Sequence, residues 1–352
     1  MSGIDRLDAT IRADIATKID FLDKRLKDGL ADMIVTVLAE RTCNTHVLSA
    51  GLPRKIKTAE HRYQFIRRFI KNKNITCHQV MCPYVQELVI KTTQNGQTII
   101  LQMDQSKLVD GLEVLMVSIR VGNRALPVAW TVEKTEGNIG FESQEKLLNQ
   151  VYAMLPEGVS VMLMGDRFYG TKSLVEWCQN YNFSYRIRIK GNLLFQHEGA
   201  TITAQNAYNM GMRSMENATF NKSEITTNIG ILHEEGHPEP WFIVMDCAPH
   251  AYKTLDYGLR WGIESMFSDF KSRGFGITQS HLTDPDRLER LILVLALALY
   301  WSTSIGMFVE AEKKRSRDYE DTIKTPIPKK TEEIGSISVD TRAKILDQVL
   351  HR

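Results

Sequence analysis

The chain has 352 residues, 43% of them hydrophobic, with 10 Pro and 22 Gly. That is enough apolar material for roughly two packed cores and excludes disorder over most of the length. The formal net charge of +2 hides an uneven division, because residues 1 to 100 carry 16 Lys+Arg against 10 Asp+Glu and the remainder carries 28 against 32.

Residues 1 to 95 read as all-helical, with apolar positions at helical spacing in IDFLDKRLKDGLADMIVTVLAERT and again from Thr58 onward. Between Gly51 and Asn74 stand eight basic residues (Arg54, Lys55, Lys57, Arg62, Arg67, Arg68, Lys71, Lys73) and one acid, Glu60, the bias expected of a surface that faces phosphates. In the helix after Thr58 the spacing turns Tyr63, Ile66, Phe69 and Ile70 inward and leaves Arg62, Arg67, Lys71 and Lys73 outside. Arg62, Arg67 and Arg68 are the candidate DNA readers, since arginine bonds guanine bidentately. A solvated basic face is the plain alternative. The five cysteines (Cys43, Cys77, Cys82, Cys178, Cys247) show no paired spacing. With the polar start MSGIDRLDATIRAD they point to free thiols in the cytoplasm. Cys43 and His46 with Cys77 and Cys82 match no common zinc spacing and read as packing residues.

From Gln97, TIILQMD, EVLMVSIRV and ALPVAWTVE predict an antiparallel meander. A helix near 143–155, a strand GVSVMLMGD, a helix near 172–181 and the strand FSYRIRIK follow, which makes a mixed α/β sheet. Residues 190–250 read as a mostly β insertion, and 251–273 and 285–310 as helices, the second opened by Thr283-Asp284-Pro285. Leu291 to Phe308 is long enough to raise the question of a membrane span, but Trp301, Ser302, Thr303, Ser304 and Gly306 favour a buried central helix and no membrane partner. Residues 311–352 read as a polar, mobile tail with room for one short final helix. The expected domains are therefore 1–95, helical and DNA-binding; 96–310, catalytic, with its insertion at about 190–250; and the tail.

Two apolar strands are expected to end in aspartate, at Asp104 and Asp166, and as neighbours they would place two carboxylates at one sheet edge, a donor set that suits a hard divalent cation. A stronger signal lies in LDYGLRWGIESMFSDFKSRGF. At about 100° per residue from Tyr257, Arg260 falls at about 300°, Glu264 at about 340° and Lys271 at about 320°. Leu259, Ile263, Met266, Phe267 and Phe270 form the adjoining apolar face. A carboxylate, two cations and a phenol beside a buried face suit one metal ligand and several phosphate donors.

The spacing Tyr-x2-Arg-x3-Glu-x6-Lys, present as Tyr257, Arg260, Glu264 and Lys271, resembles the signature of the bacterial DDE insertion-sequence transposases of family four. The resemblance extends to DQS at Asp104–Ser106, GDRFYG at Gly165–Gly170 and DPDRLERL at Asp284–Leu291. Phe168 departs from the Asp-Arg-Glu of many members. The resemblance implies an RNase H-like catalytic domain with Asp104, Asp166 and Glu264 as catalytic residues holding Mg²⁺, or Mn²⁺ in its place. It implies Tyr257, Arg260 and Lys271 on phosphates of the transposon end; Trp261, at about 40° and close to that stripe, is placed either to stack on a base or to pack as a partly buried residue. It also implies cut-and-paste movement of double-stranded DNA, from terminal repeats into a target, by a homodimer in a synaptic complex at the bacterial nucleoid. Two other readings stand beside it: an RNase H-like nuclease or resolvase, and a non-catalytic DNA-binding descendant of a transposase.

Overall fold

The computed structural model describes residues 3–324. Five helices come first: α1 (Gly3–Lys18), α2 (Lys24–Glu40), α3 (Thr45–Gly51), α4 (Ala59–Lys71) and α5 (Cys77–Thr93). Next come β1 (Ile99–Val109), β2 (Leu112–Val121), β3 (Arg124–Glu133), α6 (Phe141–Met154), β4 (Val161–Gly165), α7 (Lys172–Asn180) and β5 (Ser184–Arg188). Then β6 (Leu194–His197), β7 (Ala200–Thr203), α8 (Ala204–Asn209), β8 (Ser214–Phe220), β9 (Thr226–Leu232) and β10 (Trp241–Met245) follow. After α9 (Ala251–Leu255) come a 3₁₀ segment (Asp256–Trp261), α10 (Gly262–Ser268), a π turn (Asp269–Arg273) and a second 3₁₀ turn (Ile277–Ser280). The last helix is α11 (Pro285–Lys324).

The described residues divide into two compact units, one of residues 3–75 with 290–324, the other Thr76–Glu289. This division departs from the expected boundaries at 95 and 310. Helical spacing shows that α5 has an apolar face but not which core that face covers. In fact α5 buries Val80, Met81, Tyr84, Val85, Leu88 and Val89 and packs on β3 and α6. The buried run Leu291–Ala298 of α11 belongs with the helical unit.

In the helical unit Asp23, Asn44 and Thr58 cap α2, α3 and α4 through their side chains. Ile66, Phe69 and Ile70 of α4 turn inward, and Tyr63 stacks on His46 with ring centroids 4.4 Å apart. Asp32, in the middle of α2 and only 1% exposed, bonds both Arg12 and Arg54. A carboxylate buried that deeply is tolerated only with such partners. By length and composition α11 is apolar enough to cross a membrane, yet 56% of that apolar window is buried inside the protein. Asp284 caps the start of α11, accepting from the Arg287 amide at 3.0 Å, with Pro285 at the first position. The helix continues through residues 311–324, where a tail was expected, on a run rich in Glu, Lys and Arg that favours helix. The rest of the expected tail, 325–352, lies outside the described residues.

The second unit is built on one ten-stranded mixed sheet, ordered β3-β2-β1-β4-β5-β10-β9-β8-β6-β7. The antiparallel meander β1–β3 is followed by β4 parallel to β1 and β5 parallel to β4. This mixed α/β sheet with its helices, preceded by a helical region, is consistent with an RNase H-like domain. The insertion does not form a separate layer. Its strand β10 pairs antiparallel with β5, from Ile243↔Arg188 to Met245↔Arg186, and β9, β8, β6 and β7 extend the sheet outward. Pairing with β10 saturates backbone groups that β5 would otherwise expose as an edge.

Candidate active site

β1 does not stop at Asp104. It runs on to Val109 because β2 continues to pair with it, Asp104 opposite Met116 and Ser106 opposite Val114. Only the parallel partner β4 ends there, with Met103 opposite Gly165 as the last pair. Asp104 and Asp166 are therefore the next residues on neighbouring strands. With strands about 4.8 Å apart, that register sets their carboxylates side by side.

The loop after β4 is tightly shaped. Asp166 Oδ1 accepts from the Phe168 amide at 2.8 Å, and the Tyr169 amide donates to the Asp166 carbonyl at 3.1 Å. Of the two glycines of GDRFYG, Gly170 is sterically required and Gly165 is tightly packed. A Cβ on Gly165 would stand 3.1 Å from the Tyr169 Cβ, and one on Gly170 would collide with the Arg188 carbonyl. These contacts tuck the Tyr169 ring into the core, where burial, with Asp104 and Asp166 adding to it, raises its hydroxyl pKa. Sequence reasoning missed Tyr169, although the two glycines flanking RFY were the available signal.

Alternation along β1 puts Gln102, Asp104 and Ser106 on one face. All three meet the 256–273 segment. Gln102 Nε2 donates to the Leu259 carbonyl at 2.7 Å, Arg260 Nη1 to Asp104 Oδ2 at 3.0 Å, and Lys271 Nζ to Ser106 Oγ at 2.8 Å. Arg120 on β2 donates to the same Leu259 carbonyl at 2.8 Å. Arg260 also bonds Glu264, so one guanidinium joins two of the three expected carboxylates. Gln102 and Arg120 act on backbone, which is why no side-chain pattern revealed them.

The segment itself is not the regular α-helix that the sequence predicted. Tyr257 and Arg260 lie in the 3₁₀ part, Glu264 in α10, and Lys271 in the π turn with non-helical backbone at φ −78°, ψ −115°. A 3₁₀ turn winds tighter than an α-helix and a π turn wider, so the two deviations oppose each other. The apolar residues Ile263, Met266, Phe267 and Phe270 are buried, and Leu259 half-buried.

Burial pushes the Asp104 carboxyl up to about 6, with Arg260 pulling it down and Asp166 adding to the rise. Burial opposes the charge on Arg260, but Tyr257, Asp104, Glu264 and Asp166 outweigh it and hold the guanidinium charged. Tyr257 is buried with Trp241, Ile243 and Met245, its ring edge-on to Trp241 at 5.3 Å. The Tyr257 hydroxyl pKa is raised by that burial. Trp261 is 49% exposed with Arg260 5.8 Å from its ring, so it has room to stack.

Far from these residues in sequence, α4 leaves Arg67, Arg68 and Lys71 exposed and Arg62 half-buried, and Lys73 just after it is exposed. Arg54, counted with that basic segment, is occupied within the fold: it bonds Asp32 and lies 4.4 Å from the Phe65 ring.

Residues 142–301 match the family described as the transposase DDE domain. That match supports a DDE transposase. It spans Asp166, Tyr257, Arg260, Glu264 and Lys271 and begins after Asp104. DDE transposases generally use divalent metal ions and act on DNA. No curated protein matches the chain.

The donor set fits a divalent ion in part. Asp104 and Asp166, adjacent and mutually felt, make a carboxylate pair of the kind such ions take. Among the described residues no three His, Cys, Asp or Glu side chains stand grouped to hold a metal. Glu264 is engaged by Arg260 instead.

Proposed function

We propose that the protein is a cut-and-paste DNA transposase in which Asp104, Asp166 and Glu264 hold divalent ions, Mg²⁺ or Mn²⁺, and Tyr257, Arg260 and Lys271 hold phosphates of the transposon end. The observation that carries this reading is the closure of the Tyr-Arg-Glu-Lys segment onto the Asp104 face of β1, through Arg260 on Asp104 and Lys271 on Ser106. The bound ions would activate a water or a DNA 3′ hydroxyl and stabilise the leaving oxygen in displacement at phosphorus. The chain's own side chains do the positioning. Arg260, fixed by its burial and by Tyr257, presents a planar fork that matches phosphate oxygens. Lys271 adds a point charge further along β1, and Trp261 offers a ring to a base near the end. The exposed cations of α4, with Arg62, Arg67 and Arg68 as readers, recognise the terminal repeat away from the chemistry. The protein works as a homodimer on paired ends in the bacterial cytoplasm, at the nucleoid.

The test is a cleavage and joining assay with Mg²⁺ on the DNA repeats that flank the coding sequence. Nicking at the repeat end followed by joining to a target supports the proposal. Nicking without joining transfers the protein to the nuclease or resolvase reading, and binding without nicking to the non-catalytic one.

A further inference from the structure

The Arg260 guanidinium occupies a place that the proposed reaction requires to change. Its side chain is 8% exposed, with Nη1 on Asp104 and Nη2 on Glu264, so its two arms draw on lone pairs of two carboxylates that a divalent ion needs. A guanidinium and a divalent cation compete for those lone pairs, and at such range they repel. Arg260 is also the residue whose flat fork suits a phosphate as well as it suits a carboxylate. The same group therefore has two classes of partner, and engaging one releases the other.

We infer that Arg260 serves as the resident counter-cation of the free protein, shielding Asp104 and Glu264 from divalent ions until a DNA phosphate draws the guanidinium away. This inference rests on the transposase reading. Its consequence is thermodynamic: DNA and the ion bind with positive coupling, each tightening the other by the same factor, and the carboxylates bind an ion more weakly away from DNA. Couplings of this kind span about 5- to 150-fold.

The full chain would be titrated with Mn²⁺ by calorimetry without DNA. Arg260→Gln is expected to bind Mn²⁺ about ten-fold more tightly than the unaltered protein. Arg260→Lys, which keeps the charge but cannot fork across both carboxylates, should fall between them. A residue that merely supports the fold would give the opposite result, since its loss would loosen the carboxylates and weaken the ion. Binding of a labelled linear duplex, followed by fluorescence anisotropy with and without Ca²⁺ at matched ionic strength, reads the coupling from the other side. The unaltered protein should gain affinity with Ca²⁺, and Arg260→Gln should lose most of that gain. If natively folded Arg260→Gln and Arg260→Lys bind Mn²⁺ no more tightly than the unaltered chain, the inference is overturned. Should Arg260→Gln fail to fold, Arg260→Lys and the Ca²⁺ response of the unaltered protein still decide, and an unaltered protein indifferent to Ca²⁺ sinks it. Absence of duplex binding by every form would instead overturn the transposase reading, a separate outcome.

Discussion

Two buried aspartates in this protein are neutralised by arginine, and they differ in how the charges add up. Asp32 in the helical unit is bonded by two arginines, Arg12 and Arg54, and its carboxylate is saturated. Around Asp104 the count runs the other way, because Asp104, Asp166 and Glu264 share the single guanidinium of Arg260. A carboxylate bonded by two guanidiniums is a lock for packed helices, even with Arg12 also paired to Asp8 and Asp28. A guanidinium divided among three carboxylates leaves a standing demand for positive charge, and burial, with Asp166 adding to it, raises the proton affinity of Asp104. The difference separates a structural ion pair from a site better than burial alone does.

The sharpest way to break this comparison is to remove carboxylates from the second cluster. Asp104→Ala, Asp166→Ala and Glu264→Ala should each lower cleavage by about 10³-fold or more while leaving duplex binding largely intact, as measured by nicking and anisotropy on the same preparations. Near-normal nicking by any one of them would strike that residue from the set. Asp32→Ala should act on stability instead, costing about 3 kcal/mol by chemical denaturation, at the low end for a broken buried pair because Arg12 and Arg54 are partly solvated.

Proton linkage gives a smaller, signed contrast. The fold holds the Asp104 proton more tightly than the unfolded chain does, about 6 against an ordinary 3.8. The contribution of Asp104 to stability is therefore best below pH 4 and is lost as pH rises through 6. Asp104→Asn, which cannot ionise, should gain in Tm relative to the unaltered protein between pH 4 and pH 7. A difference that stays flat with pH would mean that burial does not raise the Asp104 carboxyl in the fold. The smallest effect belongs to Lys271→Ala, which should reduce the salt dependence of duplex binding by about 0.9 in slope if it contacts one phosphate. An unchanged slope would confine Lys271 to its Ser106 bond.

Much of the site was legible because strand alternation and parallel register are rigid rules. Once β1 and β4 are neighbours, Asp104 and Asp166 must meet. The end of β1 was not legible, since the two partners of one strand end at different residues and only pairing reveals that. The 256–273 segment was read as a regular helix; its tight and wide turns depart from that in opposite senses, so Arg260 and Lys271 still reach β1. What escaped entirely depended on tertiary partners: the engagement of Arg54 by Asp32, the allegiance of α5 to the sheet, and the backbone contacts of Gln102 and Arg120. Nothing in local spacing encodes which distant carbonyl a side chain will find.

The continuity of the ten-stranded sheet has a mechanical meaning. A hydrogen-bonded ladder resists sliding and stretching, so a push on β9 or β10 reaches β5 and then β4 as through a plate rather than across a joint. The plate is thinnest where β6 meets β8, with two residue pairs, Phe195↔Phe220 and Gln196↔Thr219. Compliance is thereby placed at the far rim of the insertion, and amide hydrogens there should exchange before those of β1 and β4, which carry Asp104 and lead into Asp166.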